Sequence, residues 1–309
     1  HYYYGSSHFY SDSHVIMQEK AKIDEVFGQK NTMVLLVPKG NTASEAQLTK
    51  ELKEMPEIIG VTSYTGTLGV RIPYEFLPEE TTSLLVSENY SRMVLTLDAD
   101  DESETTFALL DRIKNTAQGY YDEKVHLAGN SATTEDLKSV ISEDNIKVNL
   151  IAVVAIFLVL LISMRSLKLP ILLTLCIEGA IWVSMSISTL TGDPLFYIGY
   201  LIVNSILLGS TVDYAILVTN RFLEFKEQMD VNKALEESIA HSAVSVLTSA
   251  LILITAGVLL GIICTDQLMA QLGSLLARGT LIAVIVVLFV LPGFLRIFFG
   301  KRKHRKNQS

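Results

Sequence analysis

Two carboxylates lie within long apolar stretches of this 309-residue chain and are the strongest candidates for chemistry. Glu178 is the one charged residue among residues 169–192, and Asp213 is the one charged residue among residues 194–220. An ionised carboxylate in hydrocarbon costs roughly 2.5–3.5 kcal/mol, so such residues are functional candidates by default. Because desolvation favours the neutral form, a carboxyl group in this position is suited to taking up and releasing protons.

The residues around Asp213 leave its carboxyl group accessible on one helix face. Ser205, Gly209 and Asp213 are spaced i, i+4 and i+8, so they share a face with little side-chain bulk. Small residues let another helix approach closely and leave room for water or a partner group. Tyr214 points about 100° away and is placed to meet a different helix. We interpret Asp213 as a group that takes up and releases protons; the structural alternative is an aspartate that hydroxyl groups satisfy to fix helix packing.

Glu178 is expected at a depth similar to that of Asp213. It lies ten residues after Lys168, and Asp213 lies eight residues before Arg221, which corresponds to roughly 15 Å and 12 Å from the same boundary. Glu178 is either a second relay carboxyl or a neutral, structural one. Three hydroxyl residues of a later apolar stretch are candidate relay support, Ser245, Thr248 and Ser249. They either bond Asp213 across helices or bond their own helix backbone.

Long apolar runs must position these residues, and their length predicts helices that cross a membrane. A helix needs about 20 mainly apolar residues to cross the bilayer core, and lipid permits only helices or closed barrels. Five consecutive runs of this kind argue against a soluble helical bundle. The spans are expected near residues 147–165, 169–190, 196–221, 239–262 and 277–299, within a membrane domain of residues 146–299.

The charges divide the chain into two environments. Residues 1–145 carry 12 Lys and Arg against 24 Asp and Glu, whereas residues 146–309 carry 13 against 9. Lys and Arg concentrate in the connections on one side of the predicted bundle and in the basic tail, residues 300–309. The positive-inside rule therefore predicts a cytoplasmic C-terminus and an extracytoplasmic domain over residues 1–145. A domain this acidic argues against nucleic acid as a partner.

The polar domain alternates between strand-like and helix-like segments in the order β-α-β-β-α-β. This order is typical of an α+β ferredoxin-like domain. Thr42 and Glu45 have the spacing of a capping box at the start of the first helix. The sequence shows no nucleophile–base motif, no metal-ligand spacing and no phosphate-binding loop, so we expect no enzyme activity, no metal and no cofactor other than the proton as coupling ion.

The sequence resembles the MMPL branch of the RND (resistance-nodulation-division) transporter superfamily. The features that carry the resemblance are the motif Gly209-x-x-x-Asp213-Tyr214, the basic connection after it and the segment of residues 234–257. The resemblance covers nearly the whole chain and is greatest to the C-terminal half of such a transporter. It implies an RND-like half-bundle with a porter-like outer domain, and a proton relay at Asp213 and Tyr214 in which Gly209 is the motif glycine. It also implies an upstream N-terminal half with a second Asp-Tyr pair, which would carry the outer domain across the membrane.

From these features we expect half of an exporter, driven by the proton-motive force, of hydrophobic or amphiphilic, lipid-like or drug-like substrates. It would reside in the bacterial cytoplasmic membrane as a multi-pass protein. Its expected partners are the lipid bilayer, the N-terminal half and the substrate, and a homo-oligomer is also possible. The alternative is a non-transporting membrane scaffold or secretion accessory related to sterol-sensing or SecD/SecF-type proteins, which share the helical plan.

Overall fold

The computed structural model describes residues 2–5, 10, 14–28, 30–69, 83–122, 124–164, 166–192 and 195–300. The basic tail expected over residues 300–309 lies outside the described residues from position 301 onward. By their internal contacts the residues form two compact units, an α/β unit of Tyr4–Val140 and a helical unit of Ile141–Ser309 together with His1–Tyr3.

The α/β unit contains a four-stranded antiparallel sheet with the strand order of a ferredoxin-like fold. Its elements in chain order are α1 (Val15–Phe27), β1 (Asn31–Pro38), α2 (Thr42–Lys53), β2 (Ile58–Thr62), α3 (Tyr64–Leu68), β3 (Tyr90–Leu97), α4 (Glu104–Tyr121) and β4 (His126–Gly129). The strands lie in the order β2-β3-β1-β4, and every pair is antiparallel. Splitting the βαβ unit in this way places β1 and β3 in the centre of the sheet, as the β-α-β-β-α-β pattern predicts.

Side-chain alternation builds the core of this unit. Every second residue of β1 and β3 is buried, with Leu35 and Leu95 fully enclosed. Because successive strand residues point to opposite faces, one face of the sheet is apolar and requires a cover. Helices α2 and α4 supply Leu52 and Ile113, which are also fully buried, to the same core.

The start of α2 differs from the expected capping box. The helix cap is Asn41, whose side chain accepts a hydrogen bond from the Ser44 amide. Glu45 is instead buried and accepts hydrogen bonds from Thr65 and Ser91. A carboxylate turned inward to bond α3 and β3 is unable to reach back to its own helix end, so the capping-box prediction was wrong.

The helical unit carries the apolar runs. Its helices are α5 (Asn130–Met164, which begins in the α/β unit), α6 (Lys168–Thr191), α7 (Tyr197–Lys226), α8 (Val231–Ile263), α9 (Gln267–Ile285) and α10 (Leu291–Gly300). A π-helical turn, Val286–Val290, joins α9 to α10. Pro292 lacks an amide hydrogen and its ring crowds the carbonyl four residues earlier, which explains the widened turn. Among the described residues, five helical segments are long and apolar enough to cross a membrane, with α9, the π turn and α10 forming one of them.

Three helices begin well before the expected spans, and one of them is α8, which begins at Val231 rather than near residue 239. Helix α5 begins at Asn130 rather than near residue 147, because a polar helical segment precedes the apolar run. Helix α9 begins at Gln267 rather than near residue 277, because Asp266 caps it by accepting hydrogen bonds from the amides of Leu268 and Met269. Hydropathy marks where a helix becomes apolar, whereas the cap marks where it begins.

Helix α7 lies at the centre of the helical unit. It packs against α6, α8 and α9 and contributes Ala215, Val218 and Phe222, all fully buried. Helices α8 and α9 pass each other closely at two glycines. A Cβ atom on Gly257 would lie 2.6 Å from the Gly273 carbonyl oxygen, so only the absence of a side chain permits this approach.

Candidate functional site

Helix α7 holds Asp213 far from both of its ends. The helix runs for 30 residues, from Tyr197 to Lys226, so it is roughly 45 Å long and Asp213 lies roughly 20 Å from either end. Residues 197–220 contain no proline and no other charged residue, so the helix continues unbroken past the carboxylate. The site therefore consists of one acidic group in the middle of a helix of spanning length.

The carboxylate of Asp213 is on the exposed face of α7. Ser205, Gly209 and Asp213 are all exposed, whereas Thr211 and Ala215 on the opposite face are fully buried. A Cβ atom added to Gly209 would meet nothing within 4 Å. Within the described part of the chain, no hydrogen bond or ion pair reaches the Asp213 carboxylate. The aspartate is thus presented outward by the bundle.

Tyr214 points about 100° away from Asp213, into the bundle. Its side chain is only 5% exposed, and its hydroxyl donates a hydrogen bond to Ser249 Oγ on α8 at 3.4 Å. The tyrosine therefore links α7 to α8, while the preceding aspartate is left for another partner. The 100° step between consecutive helical residues is the reason for this division.

The other hydroxyl residues proposed as relay support do not reach Asp213. Thr248 donates its hydroxyl to the Val244 carbonyl of its own helix at 2.7 Å, and Ser245 is exposed on α8. Ser205 likewise bonds its own helix through the Leu201 carbonyl. A helical serine or threonine has a carbonyl of the preceding turn within reach, so this local bond competes with bonds across helices.

Glu178 is half-buried on α6. No hydrogen bond or ion pair joins it to another described residue. No direct interaction between Glu178 and Asp213 is present among the described residues, so the structure does not join the two carboxyl groups into one site.

Uncharged amides join helices α5 and α7, and charge patterns in the sequence do not reveal them. The side chain of Asn145 on α5 donates to the Tyr197 hydroxyl at 2.8 Å, and that of Asn204 on α7 donates to Asn149 Oδ1 at 3.1 Å. Asn145 and Asn149 are spaced i and i+4, a helical signal that attention to charged residues alone does not detect. A charged group also joins two of these helices, since Arg278 of α9 donates a hydrogen bond to Ser188 of α6.

A metal site is not evident in the described ranges, where no group of three or more His, Cys, Asp or Glu side chains is placed to hold an ion. The arrangement at Asp213 can exchange a proton, and it can accept a hydrogen bond from a group brought to the exposed face of α7.

Comparison with known protein families shows to which family this chain belongs. The model of the family described as "MMPL family" matches residues 11–309. The chain belongs to the MMPL family. It is accordingly a multi-pass membrane protein, in agreement with its five helices of spanning length among the described residues.

Comparison of the MMPL chain with solved structures finds SecDF, from the crystal structure of its super-membrane-facing form. The two sequences are 11% identical, and the match covers 99% of this chain and 36% of the SecDF chain, with a TM-score of 0.49. The MMPL chain thus spans about a third of the length of that protein. Comparison with curated protein sequences finds no match.

Proposed function

We propose that this MMPL chain is half of a proton-driven exporter of hydrophobic or amphiphilic molecules, with Asp213 as the proton-carrying group. The observation that carries the proposal is the position of Asp213, at mid-length of a spanning helix and on its exposed face. A carboxyl group facing hydrocarbon without a partner costs roughly 2.5–3.5 kcal/mol when charged, so a purely structural role is unfavourable there.

The exposed face of α7 also supports a partner helix. The small residues Ser205 and Gly209 leave space beside Asp213 into which another helix fits closely. In the family that the sequence resembles, an Asp-Tyr pair of the other half occupies this position. We infer that an N-terminal half covers this face and completes the relay.

Protonation then acts as a mechanical signal. Neutral Asp213 loses the charge that holds α7 toward a polar partner, so α7 shifts relative to its neighbours, including α8 through the Tyr214–Ser249 contact. A proton that binds one arrangement more tightly than the other shifts their populations. The α/β unit, as an extracytoplasmic porter-like domain, changes conformation in response and moves a lipid-like or drug-like substrate outward. The chain in this scheme is a transporter and not an enzyme.

The test is transport by the full-length protein carrying Asp213→Asn. Asparagine keeps the size and polarity of the side chain but does not exchange a proton, so we expect loss of substrate-stimulated proton flux in liposomes and loss of efflux in cells. The comparison variant is Glu178→Gln, which removes the other membrane carboxyl of this chain while leaving Asp213 in place; loss of proton flux in this variant as well would make Glu178 a second relay carboxyl. Both variants are checked for membrane insertion and thermal stability.

Wild-type proton-coupled efflux by the Asp213→Asn protein would overturn the relay. Absence of any substrate-stimulated proton flux in the wild type, together with stable co-purification of another protein, would instead support the scaffold or secretion-accessory alternative.

A further inference from the structure

One face of the sheet in the α/β unit is left open by helices α2 and α4. The buried residues of β1 and β3 form a core with those helices, so the alternate residues of the strands lie on the opposite, open face. At the centre of the open face, the apolar side chains of Val34, Leu36 and Val94 are half-buried rather than enclosed. An apolar surface of this kind is a candidate for contact with another molecule.

The strand register brings two nitrogen-containing side chains to the two sides of Leu36. Leu36 of β1 pairs with Arg92 of β3 on one side and with His126 of β4 on the other. Directly paired residues share a face, and neighbouring strands lie about 4.8 Å apart. The backbones of Arg92 and His126 are therefore about 10 Å apart across the open face. Both side chains are exposed, so they flank the space above Leu36.

Tyr90 adds a hydroxyl group beside His126. The two rings meet edge-on, with their centroids 5.5 Å apart, and the Tyr90 hydroxyl lies 3.3 Å from His126 Nε2. If the tyrosine donates this hydrogen bond, the imidazole keeps its other N–H, and if the imidazole donates it, the tyrosine keeps its O–H. With either tautomer, the pair retains one donor for a further acceptor.

Arg92 differs from another arginine of the same unit in lacking a carboxylate partner. In the part of the chain that the structure describes, no hydrogen bond or ion pair reaches the Arg92 guanidinium. Arg112, in contrast, donates two hydrogen bonds to Glu57, at 3.0 Å and 3.2 Å. A guanidinium group presents a planar set of N–H donors that suits a phosphate or a carboxylate. We call Arg92, Tyr90 and His126 the donor group of the open face.

The charge of the open face differs from that of the unit around it. Residues 1–145 carry 12 Lys and Arg against 24 Asp and Glu. Nevertheless, no Asp or Glu of the four described strands lies on the open face, whereas Arg92 does. The face is thus locally positive within an acidic unit, which makes it complementary to an anion.

We propose that the open face binds a single-chain amphiphile with an anionic headgroup, either a phosphate or a carboxylate. The donor group holds the headgroup above Leu36, and the alkyl chain lies over Val34 and Val94, which pair with each other in the next row of the sheet. The export of such an amphiphile rests on the proposed transport function, whereas its binding to the sheet is a separate property.

The experiment titrates octyl phosphate into the full-length protein in lipid nanodiscs and measures the heat of binding. Empty nanodiscs provide the reference for partition into lipid. We expect saturable binding to the wild type and a dissociation constant at least about tenfold higher for Arg92→Gln, because the charge-assisted hydrogen bonds of the guanidinium are lost. Arg92 is exposed, so the variant should keep the melting temperature of the wild type.

The matched control is Arg112→Gln. It removes an equal charge from the same unit, but from the pair with Glu57 and not from the open face. This variant should bind octyl phosphate as the wild type does. Equal dissociation constants for the wild type and Arg92→Gln, or an equal loss of affinity in both variants, would overturn the site. If Arg92→Gln instead lost a co-purifying protein with its octyl phosphate binding unchanged, the open face would be a protein interface.

Two further ligands separate the headgroup from the chain. Inorganic phosphate lacks the alkyl chain and should bind at least about tenfold more weakly than octyl phosphate. Equal affinities would show that the face binds a free anion and not an amphiphile. Octyl maltoside has the same chain with a neutral headgroup, and binding as tight as that of octyl phosphate would refute recognition of the anion.

This proposal and the proton relay fail separately. The Asp213→Asn protein should bind octyl phosphate with wild-type affinity although it does not transport. Binding that depends on Arg92 would establish the site even if Asp213→Asn retained efflux, in which case only the relay is lost. Loss of efflux in Asp213→Asn without any binding that depends on Arg92 would keep the relay and remove this site.

Discussion

At the scale of single residues, Asp213 and Tyr214 are neighbours in sequence with different surroundings. Asp213 is presented on the exposed face of α7, while Tyr214 is buried and hydrogen-bonds Ser249 on α8. The aspartate is therefore suited to a partner outside the described bundle, and the tyrosine is suited to transmitting a shift of α7 to α8. Adjacent residues divide these tasks because each helical step turns the side chain by about 100°.

The Tyr214–Ser249 contact can be tested by a double-mutant cycle. Tyr214→Phe and Ser249→Ala each remove the same hydrogen bond, which at 3.4 Å is long and worth at most about 0.5–1.5 kcal/mol. We expect each variant to lower proton-coupled transport partially and the double variant to lower it no further. Additive losses in transport rate would show that Tyr214 acts through a different group.

At the scale of elements, glycines set how closely α8 and α9 pack. Gly257 and Gly273 bring two backbones together, and a Cβ on either one would collide with the facing chain. Other helical glycines have no such role, since a Cβ at Gly179 of α6 would meet nothing within 4 Å. The two kinds of glycine look alike in sequence, and only their neighbours distinguish them.

Alanine substitution separates the two kinds of glycine. Gly257→Ala places a methyl group 2.6 Å from a backbone oxygen, and we expect overpacking to destabilise the protein by about 1–3 kcal/mol. Gly179→Ala should be neutral or stabilising by about 0.5–1 kcal/mol, because alanine is the better helix former. Thermal unfolding of the detergent-solubilised protein measures both, and equal melting temperatures would contradict the packing role of Gly257.

At the scale of the whole molecule, the chain combines an acidic ferredoxin-like unit with a helical unit of spanning length. Basic residues mark the helix ends on one side, with Lys168 at the start of α6, Lys226 at the end of α7 and Lys233 in the first turn of α8. The connections on the other side, near residues 191–195 and 263–266, carry no Lys or Arg. By the positive-inside rule this asymmetry predicts an extracytoplasmic α/β unit.

Reporter fusions test this orientation. Green fluorescent protein fused after residue 309 should fluoresce, and alkaline phosphatase fused there should be inactive, because we expect the C-terminus in the cytoplasm. Fusion after Thr191 should give the reverse pattern. Active phosphatase at the C-terminus would show that the basic connections do not set the topology of this protein.

Features that depend on local periodicity and length can be predicted from the amino-acid sequence alone. Apolar length indicates the five spanning helices, alternation and order indicate the ferredoxin-like strands, and a 3.6-residue period places Ser205, Gly209 and Asp213 on one face. These properties follow from the backbone geometry of a single element. They hold before any element meets another.

Which side chains contact each other depends on how the elements pack. Glu45 has the spacing of a capping residue but is buried against Thr65 and Ser91, and Ser249 bonds Tyr214 rather than Asp213. Asn204 donates a hydrogen bond to Asn149, which lies 55 positions earlier in the chain. Periodicity states which way a side chain points along its own helix, but the partner it finds depends on how distant elements pack, and that is a property of the whole fold.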